Sequence, residues 1–333
     1  MSRFSACFGA WARSRRLGLA ALAALAAGAL LAGPAAAQGG PLKIVVPFPP
    51  GGAADSFARL VGQKLTETAG TAVLVDNRPG AGGVLGTDVV AKGPADGSQL
   101  LIVTVGHAVN PFIFSKLPYN TAADFVPVGL VASVPSLVVT GPASTTKTLK
   151  DLLAQAKAKP GTLEFGSSGI GSTSHVGAAL IEALAGVDLL HVPYKGAAPA
   201  LQDVMGGRIA MSVDIITSSV QLVKSGKLHA LATTGARRSP LLPEVPTVAE
   251  AGLPGYEFTA WYMLLAPART PAAVVEKLGA DLRRVEALPD FRARIAEVGG
   301  EVMSLSPRDT AAFLDAEFKK WQQVVKARNI KAD

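Results

Sequence analysis

The chain has 333 residues and a formal net charge of +7, but more than half of this charge lies in the first 37 residues. Those residues hold four of the 32 basic residues and none of the 25 acidic ones, so the other 296 carry 28 basic against 25 acidic residues, a net charge of +3. Such a small excess excludes the basic footprint of a nucleic-acid-binding protein.

The N-terminal segment has the pattern of a secretory signal peptide. Four arginines flank or precede an uncharged apolar run over residues 17–32, and Ala35-Ala36-Ala37 gives a small-x-small cleavage pattern. This run of 16 residues is shorter than the about 20 needed to span a bilayer as a helix, so a retained anchor is the less favoured alternative. We expect cleavage after Ala37, and Gln38 at the cut implies no lipid anchor. The only cysteine, Cys7, leaves with the signal, which excludes disulfides, thiolate catalysis and cysteine metal sites from the mature chain.

Residues 43–55 predict a short buried strand, a loop and the start of a helix. The two prolines of the loop fix φ and offer no N–H, while Gly51 and Gly52 have no Cβ and let a ligand approach the backbone. Apolar residues at three- and four-residue spacing predict the helix, and Gly70 ends it. Free N–H groups and the positive end of the helix dipole then face outward, which suits an anion. The alternative is an ordinary βα turn.

Strands and helices alternate along the rest of the chain, which predicts parallel pairing with right-handed crossovers. The 296 residues suffice for two domains, each with its own core. Residues 125–140 form a long Val-rich extended pattern, broken by Pro127 and Pro135, which we interpret as a crossing between the domains. The other predicted strands are residues 72–75, 100–103, 162–165, 188–192, 209–213, 228–233 and 261–265. The other predicted helices are residues 84–92, 149–158, 175–185, 198–205, 218–224, 271–286 and 308–326.

Five predicted loops lie beyond the carboxyl ends of strands, where open parallel sheets bind their ligands. They are residues 48–55, 77–83, 104–107, 166–175 and 214–217. Two of them begin helices in different halves of the chain, and each helix dipole contributes about 0.5 of a positive charge, so together they would hold a carboxylate without lysine or arginine. We expect ligand contacts from Phe48, Gly51, Gly52, Ala53, Asp55, Thr104, Ser167, Ser168, Ser172, Thr173, His175 and Asp214.

Nucleophilic catalysis is the main rival interpretation of these loops. Ser167, Ser168 or Ser172 could pair with His175, but no serine here sits in a Gly-x-Ser-x-Gly pattern. A serine and a histidine three residues apart on one helix would also not point toward each other as a nucleophile and its base must. We therefore expect no enzymatic activity. His175 is expected either to donate to a loop carbonyl or to water beside the ligand, or to pack in the core.

The sequence leaves two possible roles for each of two acidic residues. Asp214 stands at a strand end, where it is either the N-cap of the next helix or an acceptor for a ligand amine, a hydroxyl or water. Asp55 is expected as a dipole partner in the first helical turn more than as a ligand contact. Trp261 and Tyr262 are expected in core or hinge packing, and Lys195 as a solvated or interdomain charge.

No metal or cofactor is expected. The four histidines have no paired spacing, and no acidic cluster appears. Residues 80–86 contain Gly-x-Gly-x-x-x-Gly after a strand, a weak dinucleotide signal that we interpret as a structural turn. No phosphate-binding loop of the Gly-x-x-x-x-Gly-Lys type exists.

Four ordered motifs resemble the substrate-binding proteins of tripartite tricarboxylate transporters, the Bug or TctC family. They are Val45-Val46-Pro47-Phe48-Pro49-Pro50-Gly51-Gly52, Asp76-Asn77-Arg78-Pro79-Gly80-Ala81-Gly82-Gly83, His191-Val192-Pro193-Tyr194-Lys195-Gly196 and residues 242–252. The resemblance runs from about Leu42 to the C-terminus. It implies an α/β, two-lobed periplasmic binding protein of the type II-like, Venus flytrap kind, with a ligand cleft between the lobes.

The resemblance also implies function and partners. Such a protein captures a small carboxylate, closes on it and delivers it to a pair of membrane permease subunits; it holds the ligand by main-chain groups of two βα loops and by ordered waters. On this chain those loops are residues 48–55 and 166–175, with Asp214 facing the cleft. We expect a monomer with lobe 1 at residues 38–134 and 233–305, lobe 2 at 135–232 and a C-terminal helix at 306–333. A carboxylate-sensing protein with a signalling partner is the alternative, and a secreted hydrolase is less favoured.

Two positions depart from the family pattern. Ile215 follows Asp214 where the family often has Asn, and Met263 follows Trp261-Tyr262 where it usually has Gly. Both departures predict a smaller or more apolar pocket. We therefore expect a carboxylate with an apolar or aromatic body rather than citrate.

Overall fold

Ten strands and ten α-helices follow one another in residues 40–332, the part of the chain that the computed structural model describes. The predicted signal peptide, its cleavage after Ala37 and Cys7 lie outside these residues. The strands are β1 (Leu42–Val46), β2 (Val73–Asn77), β3 (Gln99–Val103), β4 (Phe125–Thr140), β5 (Glu164–Ser167), β6 (Leu190–Pro193), β7 (Met211–Ile215), β8 (His229–Thr233), β9 (Thr259–Pro267) and β10 (Glu301–Val302). The helices are α1 (Ala53–Ala69), α2 (Val84–Ala91), α3 (Gly106–Ile113), α4 (Leu149–Ala158), α5 (Thr173–Ala185), α6 (Ala197–Met205), α7 (Ile216–Lys224), α8 (Ala272–Ala287), α9 (Pro289–Glu297) and α10 (Pro307–Arg328).

The strands form one ten-stranded sheet in the order β2-β1-β3-β9-β4-β7-β5-β6, with β8 and β10 both paired to β4. β1 pairs in parallel with β2 and β3, and β5 pairs in parallel with β6 and β7. β4 and β9 run antiparallel to their neighbours. The predicted parallel βα units are therefore confirmed in both halves of the chain, and in each half the parallel strands open their carboxyl ends at one edge.

β4 is the strand that both halves share. Its residues 125–135 pair with β9, whereas residues 136–140 pair with β7 on one side and β8 on the other. The pairing partner of β4 changes after Pro135, where the Ser136 N–H donates to Thr234 Oγ1 over 2.7 Å. We call lobe 1 the half built on β1, β2, β3, β9, β10 and the start of β4, and lobe 2 the half built on the end of β4 with β5 to β8. This is the predicted two-lobed α/β fold; the predicted lobe limits stay a prediction.

The central strands of the sheet are buried on both faces, whereas the outer strands β2 and β6 are partly exposed. On β3, Leu100 and Ile102 face one core while Leu101 and Val103 face the other. Near-continuous apolar runs are typical of strands covered on both faces, which explains why these strands show no polar side in the sequence. No helix within residues 40–332 is both long and apolar enough to cross a membrane.

The ends of several helices follow from local chemistry. α1 ends at Gly70, whose φ of 64° is left-handed, and α4 begins with a capping box formed by Thr148 and Asp151. The sequence patterns do not predict two of the helices, because α3 contains Pro111 and α9 begins at Pro289, with only Leu288 between it and the end of α8. Proline usually marks the end of a helical pattern, so neither segment stands out by periodicity.

α10 lies across the junction of the two lobes. Its Trp321 packs edge-on against Phe258 at 5.6 Å between ring centroids, and its Arg328 pairs with Glu182 of α5 in lobe 2 over 2.8 Å. Beyond its end, the Ala332 N–H donates to the Ile113 carbonyl of α3 in lobe 1 over 2.9 Å. The C-terminal helix therefore contacts both lobes.

Glu317 holds the two tryptophans of this junction. Its Oε2 accepts from the Trp261 indole N–H over 2.7 Å and from the Trp321 indole N–H over 2.8 Å, and all three side chains are buried. One carboxylate oxygen thus satisfies both indoles and ties β9 to α10.

We expect Glu317→Ala to lower the free energy of unfolding by about 2–6 kcal/mol, because two buried N–H donors lose their acceptor at about 1–3 kcal/mol each. Glu317→Gln should lower the free energy of unfolding far less, since its amide oxygen can still accept from both indoles. Urea unfolding followed by tryptophan fluorescence measures both variants. Equal stability of Glu317→Ala and the parent protein would contradict this role.

Candidate ligand-binding cleft

A cavity of about 1010 Å³ opens between the lobes at the carboxyl ends of the parallel strands. Lobe 1 contributes residues 47–54, 56, 57, 82, 83, 87, 103, 104, 106, 107, 110, 262 and 298. Lobe 2 contributes residues 168–174, 195–197, 214, 215, 217 and 218. All five predicted loops reach this cavity, and the loop between β6 and α6 joins them.

The starts of five helices converge on the cavity: α1, α3, α5, α6 and α7. Four of them have no side-chain cap, since Gly52, Val105, Gly196 and Ile215 at their N-cap positions make no capping hydrogen bond. An uncapped helix start leaves first-turn N–H groups without a side-chain acceptor, and its dipole favours negative charge. At α3, however, the His107 and Ala108 N–H groups already donate to the Thr104 and Val105 carbonyls. The wall of the cavity is therefore electropositive although it contains almost no charged side chains.

The loop before α1 is fixed from behind. Asp55 accepts from the Gly51 N–H over 2.9 Å, from the Asn77 side-chain amide over 3.0 Å and from Arg59 Nε over 3.0 Å. Asn77 also donates to the Phe48 carbonyl over 3.2 Å. Burial alone would raise the pKa of Asp55, but these hydrogen bonds together lower it, so its carboxylate stays ionised and holds the loop. The Gly51 φ of +88° requires glycine there.

The loop before α5 is held by its own side chains. Ser172 caps α5, and the Ser174 hydroxyl lies 2.8 Å from the Ser168 N–H and 3.0 Å from the Ser172 hydroxyl. The Gly171 N–H donates to His175 Nδ1 over 3.1 Å. Unlike the start of α1, this helix start has several of its amides already occupied, so the serine hydroxyls form its contribution to the wall. The starts of α1 and α5 therefore contribute to the wall in different ways, although the sequence predicts the same role for both.

His175 packs in a buried cluster behind this loop rather than in the cavity. Its ring stacks on His191 at 3.8 Å between centroids, and His191 Nε2 lies 2.6 Å from Ser167 Oγ. Burial lowers the pKa of His175 to about 3, with His191 adding to the effect, and burial lowers the pKa of His191 to about 4. Both imidazoles are therefore neutral at pH 7. Ser167 is fully buried and absent from the cavity wall, so this Ser–His pair cannot reach a substrate there.

Asp214 lies at the inner end of the cavity, next to β4. It is not the N-cap of α7, a position that Ile215 occupies; instead its Oδ2 accepts a short hydrogen bond from the Ser218 hydroxyl. Asp214 is 4% exposed, and burial raises its pKa to about 6 against the opposing effect of the Ser218 and Ser219 hydroxyls and the Ile215 N–H. The buried Tyr262 hydroxyl is close enough for the Asp214 charge to raise its pKa further. The inner end thus carries one carboxyl that titrates near neutral pH.

Apart from Asp214 and Lys195, the wall is apolar or weakly polar. Its larger apolar and aromatic side chains are Phe48, Ile170, Ile215, Tyr262 and Val298. Met263, by contrast, is fully buried in the core and does not line the cavity, so of the two departures from the family pattern only Ile215 makes this wall more apolar.

Nine of the twelve expected contact residues line the cavity, and three lie behind it. Asp55, Ser167 and His175 support the two loops from below. Gly106 and His107 line the cavity within the predicted loop 104–107, whereas Asn110, Lys195, Gly196, Ala197 and Tyr262 line it without having been expected as ligand contacts. The rule that selected the other loops would have found residues 195–197, because they follow the parallel strand β6 at the same edge of the sheet.

Residues 40–332 contain no group of three His, Cys, Asp or Glu side chains arranged to hold a metal ion. His107, in the wall, is buried with no hydrogen-bond partner for its Nε2 among the described residues, and burial lowers its pKa to about 3. The cavity therefore offers main-chain amides, hydroxyls and the Lys195 ammonium group as donors beside one carboxyl, a set that suits a small anionic organic molecule.

Known proteins are similar to this chain in sequence and in fold. The family model of the tripartite tricarboxylate transporter family receptor, TctC, matches residues 57–330. The UPF0065 protein in the tcbD-tcbE intergenic region of Pseudomonas sp. (strain P51) is 42% identical over 286 residues, which cover 86% of this chain and 85% of that protein. Rpa4515 from R. palustris, solved with adipate, has a TM-score of 0.79 and 36% identity over 87% of this chain and 98% of its own.

A second solved structure is MatC (Rpa3494) from Rhodopseudomonas palustris with bound malate. It has a TM-score of 0.76 and 33% identity over 86% of this chain and 98% of its own. The two-lobed fold is that of the periplasmic binding proteins. The family match covers most of the described residues and agrees with the four sequence motifs, so the predicted family is confirmed: the chain belongs to the tripartite tricarboxylate transporter family of receptors.

Proposed function

We propose that this protein is a periplasmic receptor that captures a small organic carboxylate and delivers it to the permease subunits of a tripartite tricarboxylate transporter. The observation that carries this proposal is the convergence of five helix starts, four of them uncapped, on a cavity whose wall contains no arginine. Relatives of the same family and fold were solved with adipate and malate, both carboxylates.

The start of α1 is the anchor for the carboxylate in this proposal. Its N-cap, Gly52, has a φ of −82° and no side chain, and Ala53 and Ala54 expose first-turn N–H groups to the cavity. Asp55 and Asn77 hold this loop in place before a ligand arrives, so little ordering entropy is lost on binding. The hydroxyls of Ser168, Ser172 and Ser174 approach from lobe 2.

The body of the ligand would then lie against the apolar side chains of the wall. Phe48, Ile215 and Tyr262 offer apolar surface there and few hydrogen-bond partners. A carboxylate with an apolar or aromatic body therefore fits better than citrate, whose hydroxyl and three carboxylates would need more donors.

Binding without turnover follows from the placement of the serines. Among the described residues, the imidazole that hydrogen-bonds a serine hydroxyl is His191, and its partner Ser167 is buried outside the cavity. Of the serines in the wall, Ser168, Ser172 and Ser174 bond to each other, and Ser218 bonds to Asp214. Among the described residues no imidazole bonds to Ser56 or to any other serine of the wall, so none of them has the histidine base of a serine nucleophile.

The function is tested by a thermal-shift screen of aliphatic and aromatic carboxylates with matched amides or alcohols. A carboxylate at 100 times its Kd should add about 2.7 kcal/mol to the free energy of unfolding, and its uncharged analogue should add none. Liquid chromatography of the same mixtures checks that the ligand is recovered unchanged. Stabilisation by the uncharged analogues alone, or conversion of the ligand, would overturn the proposal.

Gly52→Val should abolish carboxylate binding while the unliganded protein remains folded. The φ of −82° suits any residue, and a Cβ at Gly52 meets no atom closer than 4.0 Å, so the fold tolerates the change while the side chain covers the first-turn amides of α1. Calorimetric titration measures the affinity, and circular dichroism checks the fold. Gly206→Val, at an exposed glycine outside the cavity with φ of −78°, is the matched control. Unchanged affinity in Gly52→Val would place the anchor elsewhere.

Carboxylate affinity should fall as pH rises, because Asp214 titrates with a pKa of about 6 and its ionised form repels an anion. An anionic ligand raises that pKa further, so binding takes up a proton and weakens on the order of ten-fold between pH 5 and pH 8. His107, His175 and His191 titrate well below this range, with pKa values of about 3, 3 and 4.

Asp214→Asn tests this assignment, because the amide cannot ionise and the affinity should become flat across the same range. A ligand without hydroxyl or amine groups is used, so that loss of an acceptor does not confuse the result. An Asp214→Asn variant with the pH dependence of the parent protein would show that another group is responsible.

A further inference from the structure

Six lysines lie at the end of lobe 2 that is remote from the cavity. We call this group the basic pole; its members are Lys147, Lys150, Lys157, Lys159, Lys224 and Lys227. All six are exposed, and within residues 40–332 no ion pair or hydrogen bond joins any of their ammonium groups to another group. In lobe 1, by contrast, Lys43, Lys92 and Lys277 each pair with an aspartate. The basic pole therefore presents positive charge that the fold itself does not use.

The sheet pairing places the basic pole at the amino ends of the parallel strands of lobe 2. His229 Nε2 lies 3.2 Å from the Lys147 carbonyl oxygen. His229 and Met211 both pair with Thr140, so Lys147 is level with the start of β7. Four of the other lysines directly precede β8 or β5. Since Asp214 lies three residues further along β7, the pole is about 10 Å from the inner end of the cavity.

Few carboxylates offset the charge of the basic pole. Lobe 2 contains six acidic residues. One of them, Asp214, lines the cavity, and three others pair with Arg208 or Arg328. Asp151 and Glu164 are the acidic residues that remain without an arginine among the described residues of this lobe. The excess of positive charge is thus local to this end of the molecule, although the chain after residue 37 has a net charge of only +3.

Two exposed leucines lie at the same edge of the sheet. Leu184, in the last turn of α5, is 46% exposed, and Leu190, at the start of β6, is 48% exposed. The Leu190 N–H donates to the Leu163 carbonyl over 2.9 Å, so Leu190 is level with the start of β5, which Lys159 precedes. From β8 to β6 the sheet has four strand spacings, and the lysines and leucines therefore follow an edge about 19 Å long.

This combination suits an anionic bilayer better than a protein surface. A lysine carries its charge on a flexible stem and does not fix the position of its partner, whereas arginine has the rigid geometry that binds a defined carboxylate. Lysine is depleted at protein–protein interfaces, and leucine is under-represented among the residues that dominate their binding energy. An anionic bilayer, in contrast, attracts basic residues through its surface potential and accepts apolar side chains at the headgroup boundary.

From these observations we infer that the basic pole of lobe 2 binds the surface of a bilayer that contains anionic phospholipids. The cavity lies at the opposite ends of the same strands, so a receptor held in this way keeps its cavity accessible. The inference goes beyond ligand capture and does not depend on it. Such binding would concentrate the receptor at a membrane surface, where its search for a membrane partner is shorter.

Vesicle co-sedimentation tests the inference. The protein is purified after secretion, and mass spectrometry checks that the apolar residues 17–32, which could themselves bind lipid, have been removed. In about 0.1 M NaCl, vesicles with about 30% phosphatidylglycerol should bind the protein about ten-fold or more tightly than vesicles of phosphatidylcholine alone. This preference should disappear in about 1 M NaCl, where the Debye length falls from about 10 Å to about 3 Å.

Two sets of four substitutions separate the basic pole from overall charge. The first set is Lys147→Gln, Lys150→Gln, Lys224→Gln and Lys227→Gln. It should weaken binding to the anionic vesicles on the order of a hundred-fold, because each lysine near such a surface contributes about five-fold. The control set removes the same charge at exposed residues outside the pole: Lys116→Gln, Arg269→Gln, Arg308→Gln and Lys319→Gln. It should weaken binding less than about three-fold. Circular dichroism checks that both variants are folded.

Two results would overturn the inference. One is equal binding of the parent protein to anionic and neutral vesicles, and the other is equal weakening by the two sets of substitutions, which would assign the effect to net charge alone. Either result leaves the proposed function standing, because the basic pole lies outside the cavity wall. Failure of every carboxylate to bind would in turn remove the proposed function and leave the membrane-binding result unaffected.

Discussion

Parallel pairing of strands is the constraint on which the binding cleft depends. In each lobe the parallel strands end at the same edge, so each following helix begins there and directs its first N–H groups to one side. β4 carries the edges of both lobes on one continuous strand and brings them face to face. The electropositive cavity is therefore a consequence of topology, and it needs neither a metal nor a cluster of basic side chains.

Residues behind the cavity wall fix the geometry of the loops at this edge of the sheet. Asp55 ties Gly51 to the first turn of α1, and the stacked His175 and His191 with Ser167 fill the space under the serine loop. These groups lie outside the cavity wall, yet they are polar residues at loop positions, which is why they look like ligand contacts in the sequence. Their low accessibility and internal hydrogen bonds show that they position the residues which face the cavity.

Sequence patterns located the strands, most helices and the family, because those features depend on local periodicity and on motifs in fixed order. The direction of each side chain was harder to predict. Adjacent residues of one loop, such as Ala54 and Asp55, face opposite ways, and only the folded backbone shows which one enters the cavity. Tyr262 was also out of reach, since it reaches the cavity through the non-local pairing of β9 with β3 and β4.

The contact between the lobes at Gly171 has a mechanical consequence. A Cβ built on this residue of lobe 2 would collide with the Ile113 side chain of α3 in lobe 1, and the φ of +74° already disfavours any other residue. The absence of a side chain at Gly171 thus lets lobe 2 pack directly against Ile113 of lobe 1. A larger residue at this position would require either the end of the Ile113 side chain or the backbone that carries one of the two residues to move, so the spacing between the lobes at this point depends on a glycine.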